Sequence, residues 1–235
     1  MSHHPRFEPT DLELETAGIV ELDLQLGAAR GPDAWRLVAP DFELDIGILP
    51  RVELDLDGAY AIEGRPGGPT FLDHSAPDNL WVSAKVGIAD WHDDATRTGW
   101  ALGVQLGPKL PVATDARGVG FEGLLLAGRN DGRYHVVLDV GGLVDPHDGD
   151  LPRPVGIEGG IDLEIELVPD TWSLLGELGG VYYTSADDPQ LATTAGVQYS
   201  PTSSLDLSLV AMLGLAAGSD RYGFLVGVSP KLALW

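Results

Sequence analysis

The sequence predicts an all-β protein, a transmembrane antiparallel up-and-down β-barrel of about twelve strands with short turns, and three observations point there. A period of two in hydropathy runs through almost the whole chain, where helical periodicity is nearly absent. Turn residues punctuate that pattern at hairpin spacing. The ribbons between turns are about 9–14 residues long, beyond the five or six of a typical soluble strand and suited to a tilted span. Hydrophobic residues make up 44% of the chain, yet no run approaches the roughly 18 apolar residues of a membrane helix.

Expected strands fall near 18–29, 40–49, 51–63, 79–90, 99–112, 119–129, 133–145, 154–168, 172–184, 189–200, 204–217 and 221–234. In 40–49, Phe42, Leu44, Ile46 and Ile48 alternate with Asp41, Glu43, Asp45 and Gly47. In 51–62, Val52, Leu54, Leu56, Tyr60 and Ile62 alternate with Arg51, Glu53, Asp55, Asp57 and Ala61. In 155–167, Val155, Ile157, Ile161, Leu163, Ile165 and Leu167 share one face, and Glu158, Asp162, Glu164 and Glu166 the other. Every odd position from 205 to 215 is apolar. Successive Cβ atoms of a strand point to opposite faces, so each segment is a ribbon with one apolar and one polar side. An even strand count puts both termini at one end, expected to be the periplasmic one. The tight links Leu49-Pro50-Arg51, Asn130-Asp131-Gly132, Pro169-Asp170-Thr171 and Pro201-Thr202-Ser203 then fall at that end, and the looser segments 64–78 and 145–153 outside. The segment 91–98 stands out as a longer turn on the periplasmic side. Residues 1–17 precede the first ribbon as an N-terminal segment, either a plug or a disordered arm, and 18–235 form a single barrel domain.

Alternation alone does not say which face is inside. A soluble barrel of lipocalin type buries its apolar face, and a membrane barrel presents it to lipid. Small residues on the polar phase favour the inverted arrangement, because a solvent-washed face normally carries abundant Lys and Glu. So do aromatic residues on the apolar phase near strand ends, namely Trp100, Phe121, Tyr134, Trp172, Tyr182, Tyr199 and Tyr222, where an interface girdle would stand.

Charge narrows the function. The chain has 36 Asp and Glu against 14 Lys and Arg, a net charge of −22. That balance argues against nucleic acid, whose phosphates need a basic footprint. With no cysteine, thiolate metal sites and cysteine nucleophiles are excluded. Met1-Ser2-His3-His4 lacks the apolar stretch of a secretory signal, so an exported protein is expected here in mature form or with a replaced start. No catalytic triad, nucleophile elbow, P-loop or H-E-x-x-H is present, and neither an enzyme nor a cofactor is expected. His74 within Gly67–Asp78, His147 within Asp145–Asp150 and Trp91-His92-Asp93-Asp94 could suggest hard-cation loops, but Asp, Gly and Pro are the usual makeup of turns, and no metal site is assigned.

Phasing the ribbons predicts an acidic lumen. Its acids are Glu21, Asp23, Asp41, Glu43, Asp45, Glu53, Asp55, Asp57, Glu122, Asp139, Glu158, Asp162, Glu164, Glu166, Glu177 and Asp206, and its bases Arg51, Lys85 and Lys109. Strand direction gathers Asp41, Glu43, Asp45, Glu53, Asp55 and Asp57, with Asp162, Glu164 and Glu166, in the periplasmic half. Such a cluster can attract cations at a constriction, or simply keep the interior wet. Lys85 and Lys109, on neighbouring strands, are expected to pair with lumen carboxylates.

Several phrases carry a resemblance. Ala39–Gly64 (APDFELDIGILPRVELDLDGAYAIEG), Asp78–Trp91 (DNLWVSAKVGIADW), Trp100–Pro111 (WALGVQLGPKLP) and Leu205–Leu232 (LDLSLVAMLGLAAGSDRYGFLVGVSPKL) resemble the outer-membrane transporter-like barrels grouped with proteins of the meta-pathway of phenol degradation. The likeness runs from about Arg6 onward. It implies a Gram-negative outer-membrane location, passage of small and sometimes apolar solutes, and a last strand that carries the assembly signal. The match places that signal at Leu232, with Val228 and Leu234 in phase and the terminal Trp235 out of phase. The expected partners are outer-membrane lipid, the barrel-assembly machinery and a small solute. Two alternatives stand beside this channel: a non-conducting barrel anchoring an envelope protein complex, and a soluble barrel binding an apolar ligand.

Overall fold

A computed structural model describes residues 14–31, 35–64, 74–77, 79–93, 95–113, 116–148, 153–184 and 188–234. Twelve antiparallel strands form one closed barrel: β1 Ile19–Arg30, β2 Trp35–Leu49, β3 Val52–Gly64, β4 Leu80–Asp93, β5 Thr98–Leu110, β6 Gly120–Asp131, β7 Tyr134–Val144, β8 Val155–Val168, β9 Trp172–Tyr183, β10 Gln190–Thr202, β11 Leu205–Gly214 and β12 Tyr222–Ala233. Each pairs with its neighbours in chain order. Closure comes from β1 against β12, in register from Ile19↔Ala233 to Arg30↔Tyr222. The short strand His74–Pro77 lies on the end of β3 and extends β4 there.

Both ends of the described chain lie at one rim, called here the near rim. Its connections are two to four residues long, and those of the far rim four to fifteen. Tight near-rim turns need unusual backbone, and Arg51, Arg97, Gly132 and Asp170 all have positive φ there. The expected turn at 91–98 is shorter than the sequence suggests. β4 continues to Asp93, and Trp91 pairs with Trp100 across the hairpin.

Two bulges explain where strand phase departs from simple alternation. Ala39 and Pro40 together oppose Leu26 on β1, so Arg36 and Val38 share the inner face with Asp41, Glu43 and Asp45. β2 therefore begins at Trp35 and not at position 40; a proline, which donates no ladder hydrogen bond, is accommodated at the bulge. On β4 the extra residue is Ile88, between Gly87↔Gly103 and Ala89↔Leu102.

Burial settles which face is inside. The outward phase is exposed and apolar around the ring, including Leu26, Leu54, Ile88, Leu106, Leu125, Leu138, Ile157, Ile161, Leu178, Leu209 and Val226. The inward phase buries Glu21, Asp23, Asp41, Asp45, Glu53, Asp55, Lys85, Gln105, Glu122 and Glu158. That is the reverse of a soluble ligand-binding barrel, and it takes the soluble-barrel alternative away. An apolar exterior of this extent needs a non-aqueous surrounding.

Aromatic residues bound the belt at both heights. Trp91, Trp100, Tyr134 and Trp172 are exposed at the near rim, where Trp172 stacks on Tyr199 at 4.6 Å. Trp35, Tyr60, Phe121, Tyr182 and Tyr222 stand at the far rim. All seven expected girdle residues lie on the outward phase near strand ends, and the bulges add Trp35 and Trp91 to them.

The belt makes a quantitative demand. Leu125, mid-strand on β6 and 60% exposed on the outer face, should lose about 2–4 kcal/mol of stability when changed to Lys in a bilayer. Val119→Lys, at the far rim, should cost about 1 kcal/mol or less. Denaturant unfolding of the barrel in vesicles measures both, and a soluble barrel would show no such difference.

Candidate functional site

The candidate site is the inner wall, and its charge is organised by strand pairing. Across β1, β2 and β3, carboxylates stand opposite one another in successive rows. Asp45 pairs with both Glu21 and Asp55, and Glu43 with both Asp23 and Asp57. Like charges directly across a ladder repel, so a patch this dense needs cations and hydrogen-bond donors around it. One oxygen each of Asp23, Glu43 and Asp45 lie within 4.8 Å of one another, as do those of Asp45, Glu53 and Asp55.

Two lysines bracket the patch, one from the strand on each side. Lys85 on β4 contacts Glu53 at 2.9 Å. Lys231 on β12 contacts Glu21 at 2.8 Å and Glu15 at 2.9 Å. Neutral donors complete the β3–β5 side: Ser83 donates to Asp55 Oδ2 at 2.9 Å, and Gln105 Nε2 donates to the same oxygen at 2.9 Å and to Ser83 Oγ at 3.0 Å. Gln105, Ser83, Glu53 and Asp55 are almost fully buried, which strengthens each contact.

A second acidic patch lies on β8 and β9. Asp162 stands opposite Glu177, Ser173 Oγ donates to Glu164, and Arg97 reaches Glu166 at 2.9 Å from the near-rim turn. β2 and β8 are six strands apart in a ring of twelve, so the two patches face each other across the lumen. A third arrangement holds the far rim, where Lys109 bridges Glu122 at 2.7 Å and Asp145 at 2.8 Å.

The sequence reading places most of these residues. Lys85 and Lys109 both pair with lumen carboxylates. Arg51 is different: it occupies the near-rim turn, is more than half exposed, and pairs with Asp90. His147 and Asp148 form a two-residue ladder with Arg117 and Ala116 between far-rim loops. Most of Gly67–Asp78 and of Asp145–Asp150's second half lies outside the described residues, and so does Trp235. Val228, Leu232 and Leu234 keep the outward phase of the last strand, with Leu232 and Leu234 exposed.

Three features escape the sequence reading. Lys231 shares the inner phase with Leu225, Gly227 and Ser229, so the same alternation could have found it. Trp81 is the one inward tryptophan among the described residues; it is 5% exposed, donates to the Gly107 carbonyl at 3.3 Å and packs with Leu124 and Leu126. An apolar row also crosses six strands on the inner wall, Leu175, Gly196, Val210, Leu225, Gly27 and Val38 in cross-strand register. Its four large members form one buried cluster. A Cβ on Gly27 would meet Leu225 Cδ2 at 2.5 Å, so the glycine makes room for its neighbour.

The mouth at the near rim holds the chain just before β1. The Glu15 backbone N–H donates to Glu53 Oε2, while its side chain takes Lys231. Gly18 N–H donates to the Gly47 carbonyl at 2.8 Å. A Cβ on Gly47 would lie 2.2 Å from the Thr16 carbonyl oxygen, so only glycine admits this strap. Leu14 lines a cavity of about 310 Å³ with Arg51, Lys85, Gly87, Gly99, Ala101 and Gly103. A smaller one of about 120 Å³ is lined by Asp139, Glu158, Gly160, Asp162, Glu177 and Gly179.

No family model matches the chain, and no curated protein matches it. Solved structures do. A COG4313 outer membrane channel from Pseudomonas putida F1 superposes with a TM-score of 0.70 at 12% identity, over 96% of this chain and 99% of that one. The NanC porin gives 0.64 at 12% identity over 90% and 100%, and the KdgM porin 0.57 at 11% over 89% and 98%. At these identities the likeness is one of fold: the whole chain is built as outer-membrane barrels are.

The Lys85–Glu53 pair can be tested directly. Lys85→Met should destabilise the barrel by about 3–5 kcal/mol, because Glu53 is left buried without its cation. Adding Glu53→Gln should recover much of that loss. A double-mutant cycle on unfolding free energies reads the coupling.

Proposed function

We propose that this protein is a Gram-negative outer-membrane channel for small solutes, selective for cations and cationic molecules, with its near rim in the periplasm. The observation that carries the reading is the pair of acidic patches on β1–β3 and β8–β9, facing each other across a barrel whose outside is apolar. Opposed carboxylates at a constriction raise the local concentration of cations and exclude anions. The folds of the matched channel and porins support passage through such a barrel. The phrases that resemble the meta-pathway group suggest small organic solutes as cargo, a grouping that no family model supports. The assembly machinery would read Val228, Leu232 and Leu234 on the outer face of β12. In planar bilayers the channel should prefer potassium over chloride, and Asp55→Asn with Asp57→Asn and Glu164→Gln should lower that preference several-fold. Unchanged selectivity in the triple variant would overturn the acidic-lumen mechanism, and a silent wild-type barrel would favour the anchoring alternative.

The described part of the N-terminal segment, residues 14–17, acts in this reading as a strap over the periplasmic mouth. Support comes from Glu15, which ties β3 to β12 through Glu53 and Lys231, and from Leu14, which lines the near-mouth cavity. Deleting residues 2–17 should raise single-channel conductance, and Glu15→Gln should make closures briefer. The absence of cysteine allows a clean second readout: Leu14→Cys should label faster with a membrane-impermeant maleimide when Glu15 is also Gln. Equal labelling in both backgrounds would remove the tether, whatever the conductance.

A further inference from the structure

At the far rim, three outward side chains form one cross-strand row: Tyr222 on β12, Arg30 on β1 and Trp35 on β2. The two rings close over the arginine between them. Trp35 and Tyr222 meet edge to face at 5.9 Å and 81°, and Arg30 Cζ lies 6.0 Å from the Trp35 ring centroid. Arg30 Nη1 is covered and has no hydrogen-bond partner among the described residues. The neighbouring inward arginine, Arg36, is committed to Asp220 at 3.3 Å. Arg221 is exposed on the same rim, and its backbone N–H donates to the Arg30 carbonyl at 2.7 Å.

An arginine on a lipid-facing surface is costly unless its head reaches the headgroup layer and finds counter-charge there. Arg30 ends its strand at the height of the far aromatic girdle, which is that layer. A guanidinium is a planar fork that matches phosphate with two parallel hydrogen bonds, and that of Arg30 is half-buried beside the two rings. The chain's net charge of −22 repels anions in general, so an anion held here must be held by local contacts.

We propose that Arg30, framed by Trp35 and Tyr222 and assisted by Arg221, binds the phosphate of a membrane lipid headgroup in the leaflet at the far rim. The site rests on the membrane reading above but not on conduction. It gives the barrel a polar anchor at fixed depth next to the β1–β12 closure.

The test is native mass spectrometry of the folded barrel in detergent, titrated with phosphatidylglycerol, with a diacylglycerol of the same chains, and with inorganic phosphate. Wild type should retain one phosphatidylglycerol at about tenfold lower concentration than Arg30→Gln, the size expected for a charge-assisted contact. Diacylglycerol should bind wild type and variant alike, and inorganic phosphate should not displace the lipid. Arg221→Gln, outside the strands, should weaken retention without touching the ladder, and it carries the test if Arg30→Gln fails to fold. Equal retention by the wild type and the folded variants overturns the site. Displacement by inorganic phosphate would make it an ion site and overturn the lipid assignment. A chain that stays folded and monodisperse without detergent would instead remove the membrane reading itself.

Discussion

In hydrocarbon there is no water to satisfy a backbone amide, so a sheet can stand there only if it has no edge. The β1–β12 pairing meets that requirement, with ten registered residue pairs running the length of β1. Much else follows from it. Closure with an even strand count brings the start of β1 and the end of β12 to one rim. Closure with a two-residue period fixes one phase of every strand inward and the other outward. The short near-rim turns then set the register of each hairpin, and the belt of exposed Leu, Ile and Val between two aromatic girdles is what that register leaves on the outside.

The inside carries the opposite problem. Carboxylates brought into direct cross-strand opposition on β1–β3 would drive those strands apart in a dry interior. The wall answers with lysines at the two margins of the patch, and with Ser83 and Gln105 donating into Asp55. Buried ion pairs of this kind seldom add net stability relative to well-packed apolar residues. The apolar row through Val38, Leu225, Val210 and Leu175 shows that this wall can pack that way where it needs to. Retaining charge on β1–β3 and β8–β9 therefore points to use of the charge. That argument connects the energetics of the wall to the proposed cation preference.

The barrel class, strand count and most of the lumen list were legible in the sequence because alternation is a direct image of two unlike solvents. The outward placement of the expected girdle aromatics was legible for the same reason. What was not legible lies where a local irregularity or a long-range contact intervenes. The bulge at Ala39–Pro40 resets the phase of β2, which hid Trp35 and with it the aromatic row around Arg30. Ile88 does the same for Trp91. Glu15 precedes the periodic region, and nothing in its neighbours announces that it spans from β3 to β12. Trp81 reads as an interface residue by type, and only the β4 phase turns it inward onto Gly107.

Inner-wall residues are unevenly sized, and that asymmetry says where a solute would travel. The β1–β5 side is crowded by long charged side chains, by Gln105 and by Trp81. On the opposite side, one cross-strand row reads Asp139, Gly160, Gly179, Ala192 and Gly214. A Cβ on Gly160 would lie 2.6 Å from Asp139 Oδ2, so the glycine lets that carboxylate lie against bare backbone instead of projecting into the lumen. The cavity beside Glu177 and Asp162 opens along this row. The near-mouth cavity is likewise lined by Gly87, Gly99, Ala101, Gly103 and Gly128. The first space lies where side chains are smallest; the second combines these small residues with Arg51, Lys85 and His92, and each has acidic neighbours, Asp162 and Glu177 in one and Asp90 in the other. On the channel reading, a cation would follow these small-residue surfaces while the β1–β3 carboxylates supply the field that draws it in. The Leu14–Glu15 strap lies across the near end of that route.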